Sequence, residues 1–231
     1  MKNENILICT TKSWNIKNYQ KIKDSLGKYN WHIINDKNEL KYKKVVDINP
    51  KYIFFPHWSW KIPKKIHKNF LCIAFHMTDL PFGRGGSPLQ NLIIRGYKKT
   101  KITAFKVTEE LDAGPIFLKE ELSLDGSAEE IYKRTSELIF FELIPSILKK
   151  SIKPSPQKGK TVFFQRRKAN EGDISKLNDL EKIYDYIRML DSEGYPKAFF
   201  EKNNIKIEFE DAKKNDNKIT AKAKIKVKEK K

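Results

Sequence analysis

Four short apolar runs constrain this chain more than any other feature of it: Ile6-Leu7-Ile8-Cys9-Thr10, Trp31-His32-Ile33-Ile34, Tyr52-Ile53-Phe54-Phe55 and Phe70-Leu71-Cys72-Ile73-Ala74-Phe75. The first, bounded by polar residues, has the pattern of a strand buried on both faces, and the others read as further strands. The third is stopped by Pro56, and Asn18 to Leu26 reads as a helix between the first two. Strands alternating with helical segments predict an α/β fold built on a mostly parallel sheet. No stretch reaches the roughly 20 uncharged apolar residues of a membrane-spanning helix. The N-terminus leads straight into the first strand without the pattern of a signal peptide. Cys9 and Cys72 lie inside apolar runs, as small buried hydrophobes of a reducing compartment, not as metal ligands. A cytoplasmic chain with no membrane partner is expected.

Further along, Ser87 and Pro88 open a short helix with Leu89, Leu92 and Ile93 inward and Gly96 at its end. Lys101 to Leu111 and Pro115 to Leu122 read as strands joined through Asp112-Ala113-Gly114. Ser127-Ala128-Glu129-Glu130 is a capping box opening a long helix that Pro145 kinks or ends. Composition shifts at Lys153-Pro154-Ser155-Pro156-Gln157-Lys158-Gly159-Lys160. This divides the chain into residues 1–152, a linker over 153–160, and a small C-terminal α+β module over 161–231. The module holds an amphipathic helix (Leu177, Leu180, Ile183, Tyr184, Ile187, Leu190), then strands at Asn204 to Glu210 and Lys218 to Val227. The last strand alternates apolar residues with mostly lysine, an edge that can pair across a two-fold axis in a homodimer. The last four residues are expected to fray.

Charge says less than it promises. Forty-seven Lys and Arg against 29 Asp and Glu give a net charge of +18, yet only six of the 47 are Arg. Base readout and bidentate phosphate recognition favour Arg, whereas scattered Lys is mostly solvated surface. On this ground nucleic acid is the less favoured partner and an anionic small substrate the more favoured one.

The informative stretch is Phe75-His76-Met77-Thr78-Asp79-Leu80-Pro81-Phe82-Gly83-Arg84-Gly85-Gly86-Ser87-Pro88-Leu89-Gln90, between a strand end and a helix start. In open α/β sheets ligands bind there. A His so placed can act as acid or base near neutral pH, but a lone His is also commonly a core residue bonded to a backbone carbonyl. Asp112 before Ala-Gly is likewise ordinary turn chemistry when taken alone. Together they carry a resemblance. His76 with Leu80-Pro81-x-x-Arg84-Gly85, followed by Asp112-x-Gly114-x-Ile116, resembles the folate-dependent formyltransferases. Their motif runs Asn-x-His-Pro-Ser-x-Leu-Pro…Arg-Gly, then Asp-x-Gly-x-Ile. Gln165-Arg166-Arg167 through Ile174, and Tyr195-Pro196-Lys197-Ala198-Phe199, are similar to later segments of that family. With only about 70 residues after the linker, the likeness is nearest to the sugar-nucleotide N-formyltransferases.

The resemblance implies a Rossmann-like sheet, N10-formyltetrahydrofolate as donor, and the amine of a nucleotide-linked amino sugar as acceptor. It makes His76 the general base or oxyanion donor and Asp112 the group that orients it. Trp58, Trp60, Ile62, Pro63 and Leu111 are implied to hold the folate. Thr78, Asp79, Arg84, Gly85, Gly86 and Gln90 are implied to face the acceptor, with Arg166 and Arg167 as further phosphate contacts. Ala74 stands where the family has Asn, so a backbone N–H, Asn91, His57 or Ser59 must replace that donor, or catalysis is slow or lost. The alternatives are formylation of another amine, such as that of methionyl-tRNA, and a non-catalytic folate- or RNA-binding relative.

Overall fold

The computed structural model describes residues 3–150 and 152–227, so the terminal residues expected to fray lie outside it. Along the chain the elements are β1 (Asn5–Cys9), α1 (Ser13–Ser25), β2 (Asn30–Ile34), α2 (Tyr42–Ile48), β3 (Tyr52–Phe55), α3 (Lys64–Asn69), β4 (Cys72–His76), β5 (Arg84–Gly85) and α4 (Pro88–Ile93). They continue with β6 (Lys99–Lys106), β7 (Ile116–Ser123), α5 (Ala128–Leu138), α6 (Ile144–Lys150), β8 (Phe163–Phe164), α7 (Leu180–Leu190), β9 (Ala198–Lys202), β10 (Ile205–Asn215) and β11 (Lys218–Val227). Two compact units form. The first takes in residues up to Gly85, Thr100–Leu122 and Lys133–Phe163; the second takes in Gly86–Lys99, Ser123–Tyr132 and the chain from Phe164 onward. Two stretches that precede the 153–160 segment thus join the C-terminal elements.

The first unit is built on a six-stranded sheet of order β2-β1-β3-β4-β6-β7. The first four strands run parallel, with Ile6 opposite both Trp31 and Tyr52, and Ile53 opposite Cys72. β6 joins antiparallel to β4, with Ala74 opposite Phe105 and His76 opposite Thr103. Ile6, Leu7, Ile8 and Cys9 are all fully buried, as an uninterrupted apolar run in a parallel sheet requires. Leu7, Cys9, Ile53, Phe55 and Cys72 form one core cluster with Val45 of α2 and Ile66 of α3.

Helix α1 starts at Ser13, five residues before the predicted start. Its inward face includes Asn15 and Asn18, whose amides bond Thr10 Oγ1 and Ser136 Oγ, both at 2.8 Å. Inward asparagines mask the apolar period from which a helix is read. The predicted strand to Leu111 stops at Lys106. Pro145 does not end its helix either: the path runs from α5 through a π-helical stretch, Ile139–Leu143, into α6. Pro145 is the second residue of α6, directly after the π-helical stretch, where the regular i→i−4 ladder is already interrupted.

In the second unit, α7 and the antiparallel sheet β11-β10-β9 follow the predicted module, with β9 an additional strand opposite β10. The capping box is present: Glu130 Oε2 accepts from Ser127 N–H at 2.7 Å, and Ser127 Oγ from Glu130 N–H at 3.3 Å. Ser87 behaves otherwise. It adopts φ 50° and caps nothing; its hydroxyl accepts from the Arg167 N–H at 3.0 Å. No helix among the described residues is long and apolar enough to cross a membrane.

Candidate active site

β3 and β4 lie side by side and parallel, so the loops that leave their carboxyl ends open on the same edge of the sheet. His76 is the last residue of β4 and is 9% exposed. Its Nε2 lies 2.7 Å from the carbonyl oxygen of Gly83. A carbonyl only accepts, so Nε2 carries the hydrogen, and it is Nδ1 that can gain or lose the second proton. Gly83 can present its carbonyl here because it adopts φ 77°, open to glycine without strain. Nδ1 in turn faces Asp112, whose Oδ2 is 3.8 Å away. That same Oδ2 accepts the N–H of Gly85 at 2.9 Å. The imidazole is thus held at one nitrogen by the loop and faced at the other by a carboxylate.

The turn that carries Asp112 is tightly specified. Asp112 sits at φ 51°, a left-handed conformation that Asp tolerates better than most residues. Two residues on, a Cβ on Gly114 would fall 1.7 Å from the Lys106 carbonyl oxygen, so only glycine lets the turn lie against β6. Arg84 is buried, its guanidinium donating to Gln157 Oε1 through Nε (3.2 Å) and Nη2 (2.8 Å), and to Glu110 Oε1 through Nη1 (3.0 Å). Gln157 also donates from Nε2 to the carbonyls of Asp112 (2.7 Å) and Gly114 (2.9 Å). Gln157 falls inside the expected 153–160 linker, because a Pro-x-Pro-Gln stretch among lysines carries the composition of a spacer. The one signal is its position directly after Pro154-Ser155-Pro156, whose prolines stiffen the path.

Several residues assigned by resemblance have other occupations. Thr78 is fully buried, and its carbonyl accepts from Thr103 Oγ1 at 2.7 Å. Asp79 is paired with Lys119 and with Lys101 (3.1 Å); burial alone would raise its carboxyl, but these bonds outweigh it and hold it below the usual range. In the second unit, Gln90 is buried with its amide donating to Tyr132 Oη and the Met189 carbonyl, both at 3.0 Å. Gly86 lies there too, where a Cβ would meet the Arg166 backbone at 2.6 Å. Arg167 bonds the Glu171 carbonyl and lies over Tyr186.

Among the replacements considered for the family Asn, Asn91 is committed: its amide donates to the carbonyls of Gly86, Ser87 and Gln165, and its oxygen accepts from Arg95. Ala74 itself packs against the core cluster. On the loop after β3, Trp58 stands 5.1 Å from Trp60 and 5.9 Å from Phe55. The Trp58 indole N–H is buried with no hydrogen-bond partner among the described residues. Trp60, Pro63 and Leu111 are exposed and Ile62 is half-buried; Leu111 shows 64% of its surface immediately before Asp112.

Residues 20–146 match the family described as Formyl transferase, and residues 169–226 match a domain described as Methionyl-tRNA formyltransferase, C-terminal domain. The chain belongs to the formyl transferase family. A structure described as methionyl-tRNA formyltransferase from Clostridium thermocellum is 57% identical, covers 97% of this chain and 99% of its own, and superposes with a TM-score of 0.95. A methionyl-tRNA formyltransferase of Thermodesulfovibrio yellowstonii is 31% identical over 63% of this chain and 50% of its own. The chain spans about half the length of the curated relatives it matches. A sugar N-formyltransferase from Shewanella sp FDAARGOS_354 covers 85% of this chain and 92% of its own with a TM-score of 0.66, but at 17% identity it shares the fold alone.

These likenesses overturn the reading of this formyl transferase as an enzyme of nucleotide-linked amino sugars, together with its glycan role and its sugar-nucleotide partner. That reading rested on the brevity of the C-terminal part, on the Tyr195-Pro196-Lys197-Ala198-Phe199 segment and on the scarcity of Arg. The Clostridium thermocellum chain, which this one covers almost end to end, has the same brevity, so length does not discriminate between acceptors.

Proposed function

We propose that this formyl transferase moves the formyl group of N10-formyltetrahydrofolate onto the α-amino group of methionyl-tRNA. The observation that carries the reading is the 57% identity, nearly end to end, with a chain described as methionyl-tRNA formyltransferase. The net charge of +18 suits a polyanionic acceptor.

The geometry of the first unit supports the chemistry. The amine must be neutral to attack the formyl carbon. A new N–C bond then forms, the bond from formyl carbon to N10 breaks, and the proton lost by the amine ends on N10. His76 Nδ1, with Asp112 Oδ2 at 3.8 Å and Nε2 engaged by Gly83, is placed to take that proton, because the imidazolium so formed faces a carboxylate. The folate fits the aromatic loop after β3: the Trp58 N–H offers a buried donor, and Trp60, Ile62, Pro63 and Leu111 offer apolar surface. Arg84, held by Gln157 and Glu110, acts in this reading as a fastening of the loop more than as an acceptor contact.

The test is formyl transfer by the purified chain from N10-formyltetrahydrofolate to methionyl-tRNA, followed as formylmethionine released after mild base. Turnover is expected, with uncharged tRNA inert. His76→Ala and Asp112→Ala should each lose on the order of 100-fold or more while keeping the wild-type circular dichroism spectrum. Absence of formylmethionine with wild-type protein that still binds the folate would exclude this acceptor.

A further inference from the structure

We infer that Gln157 is a positioning residue for the reaction, holding the Asp112 turn and the Arg84 loop in the one arrangement in which Asp112 faces His76. The inference rests on the reading of His76 and Asp112 as the reacting pair, and every group involved lies in the first unit.

The observations converge on one side-chain amide. Its segment is laid along the start of β7: Ile116 N–H donates to the Ser155 carbonyl at 2.7 Å, and Ser155 N–H to the Ile116 carbonyl at 2.9 Å. This pairing brings Gln157 over the 112–114 turn, where its two N–H groups meet the Asp112 and Gly114 carbonyls and its oxygen meets the Arg84 guanidinium twice. Both amide hydrogens and the oxygen are therefore used, and both partners belong to the site. A non-glycine residue at φ 51° persists only where its surroundings over-determine it. Here Gly114 removes the steric obstacle, and Gln157 supplies the bonds. Asp112 reaches Gly85 N–H from this turn, while Arg84, the preceding residue, is fastened by the same glutamine. One amide thus couples the loop that orients His76 to the turn that orients Asp112.

A carboxylate in place of the amide separates the two connections. Gln157→Glu keeps an acceptor for Arg84 but has no hydrogen for the carbonyls and sets charge against them, whereas Gln157→Ala removes both. Each variant is compared with wild type by steady-state kinetics and by amide hydrogen exchange. Both are expected to lose on the order of 100-fold in kcat, with KM for the folate changed less than threefold, as misplacement of a reacting group predicts. Exchange at Gly85 N–H should quicken at least tenfold, while Ile73 and Phe54 in the central sheet keep their protection. Wild-type kcat and Gly85 protection in Gln157→Glu would overturn the inference, as would loss of protection throughout the sheet in both variants, which would make Gln157 a folding residue. If wild-type protein shows no formyl transfer, the proposed function fails alone, because Gly85 exchange still decides whether Gln157 holds the turn.

Discussion

His57 follows β3 at φ 52°, with its ring edge-on to Trp14 at a centroid distance of 5.8 Å. Burial first, and the Lys12 ammonium second, pull its pKa from an ordinary value near 6.5 to about 3. Between those two values the unfolded chain binds a proton that the folded chain refuses. Stability therefore falls as pH drops through that window, by at most about 1.4 kcal/mol per pH unit, and this group contributes no slope above it. His57→Asn tolerates the positive φ and cannot titrate. Urea midpoints measured from pH 7 to pH 5 are expected to fall more steeply for wild type than for His57→Asn; equal slopes would show that the fold accepts the charged ring. Near pH 7 His57 is a neutral imidazole with one ring N–H, so it can donate a single hydrogen bond but carries no positive charge.

Helix α7 shows how an element is secured by charge in its interior. Asp185 and Arg188, one turn apart, are both buried; Arg188 Nε donates to Asp185 Oδ1 at 2.7 Å and its Nη1 to the carbonyls of Leu124 (2.6 Å) and Gly126 (3.0 Å). Asp185→Ala strands a buried guanidinium and is expected to cost about 3–5 kcal/mol. Ser127→Ala, which removes a helix cap, should cost only about 1 kcal/mol. Chemical denaturation that ranked the two alike would mean water solvates Arg188 once its partner is gone. The edge strand β11 is secured differently. Lys222 and Lys226 pair with Asp211 and Glu208 at 3.0 and 2.6 Å. An antiparallel second copy on this edge sets lysine opposite lysine, which weighs against the two-fold pairing that its alternation invites.

For the whole molecule, the proposed acceptor makes the +18 charge measurable. Affinity for methionyl-tRNA should fall roughly 100-fold between 50 and 200 mM salt if about four phosphates are contacted, as read by fluorescence anisotropy. A flat salt response would mean that the lysines are merely solvated surface. Much of the architecture was legible in the chain. Apolar runs of four to six residues closed by polar residues or proline are too short for buried helices, so β1, β3 and β4 were readable, as were the capping box and the His76 and Asp112 motifs. Helix α1 was misplaced at its start because Asn15 and Asn18 find buried partners distant in sequence. Acceptor choice was misread because chain length was weighed against it. The sequence by itself determined the parallel sheet, the strand-end position of His76 and the family, since periodicity and local motifs are properties of neighbouring residues. Only the tertiary structure decided that His76 turns Nε2 to Gly83 and Nδ1 to Asp112, that Thr78 and Gln90 are buried while Asp79 is tied up by two lysines, and that a lysine-flanked glutamine ties the site together. Those outcomes depend on hydrogen bonds between residues from 7 to 99 positions apart, which no local pattern encodes.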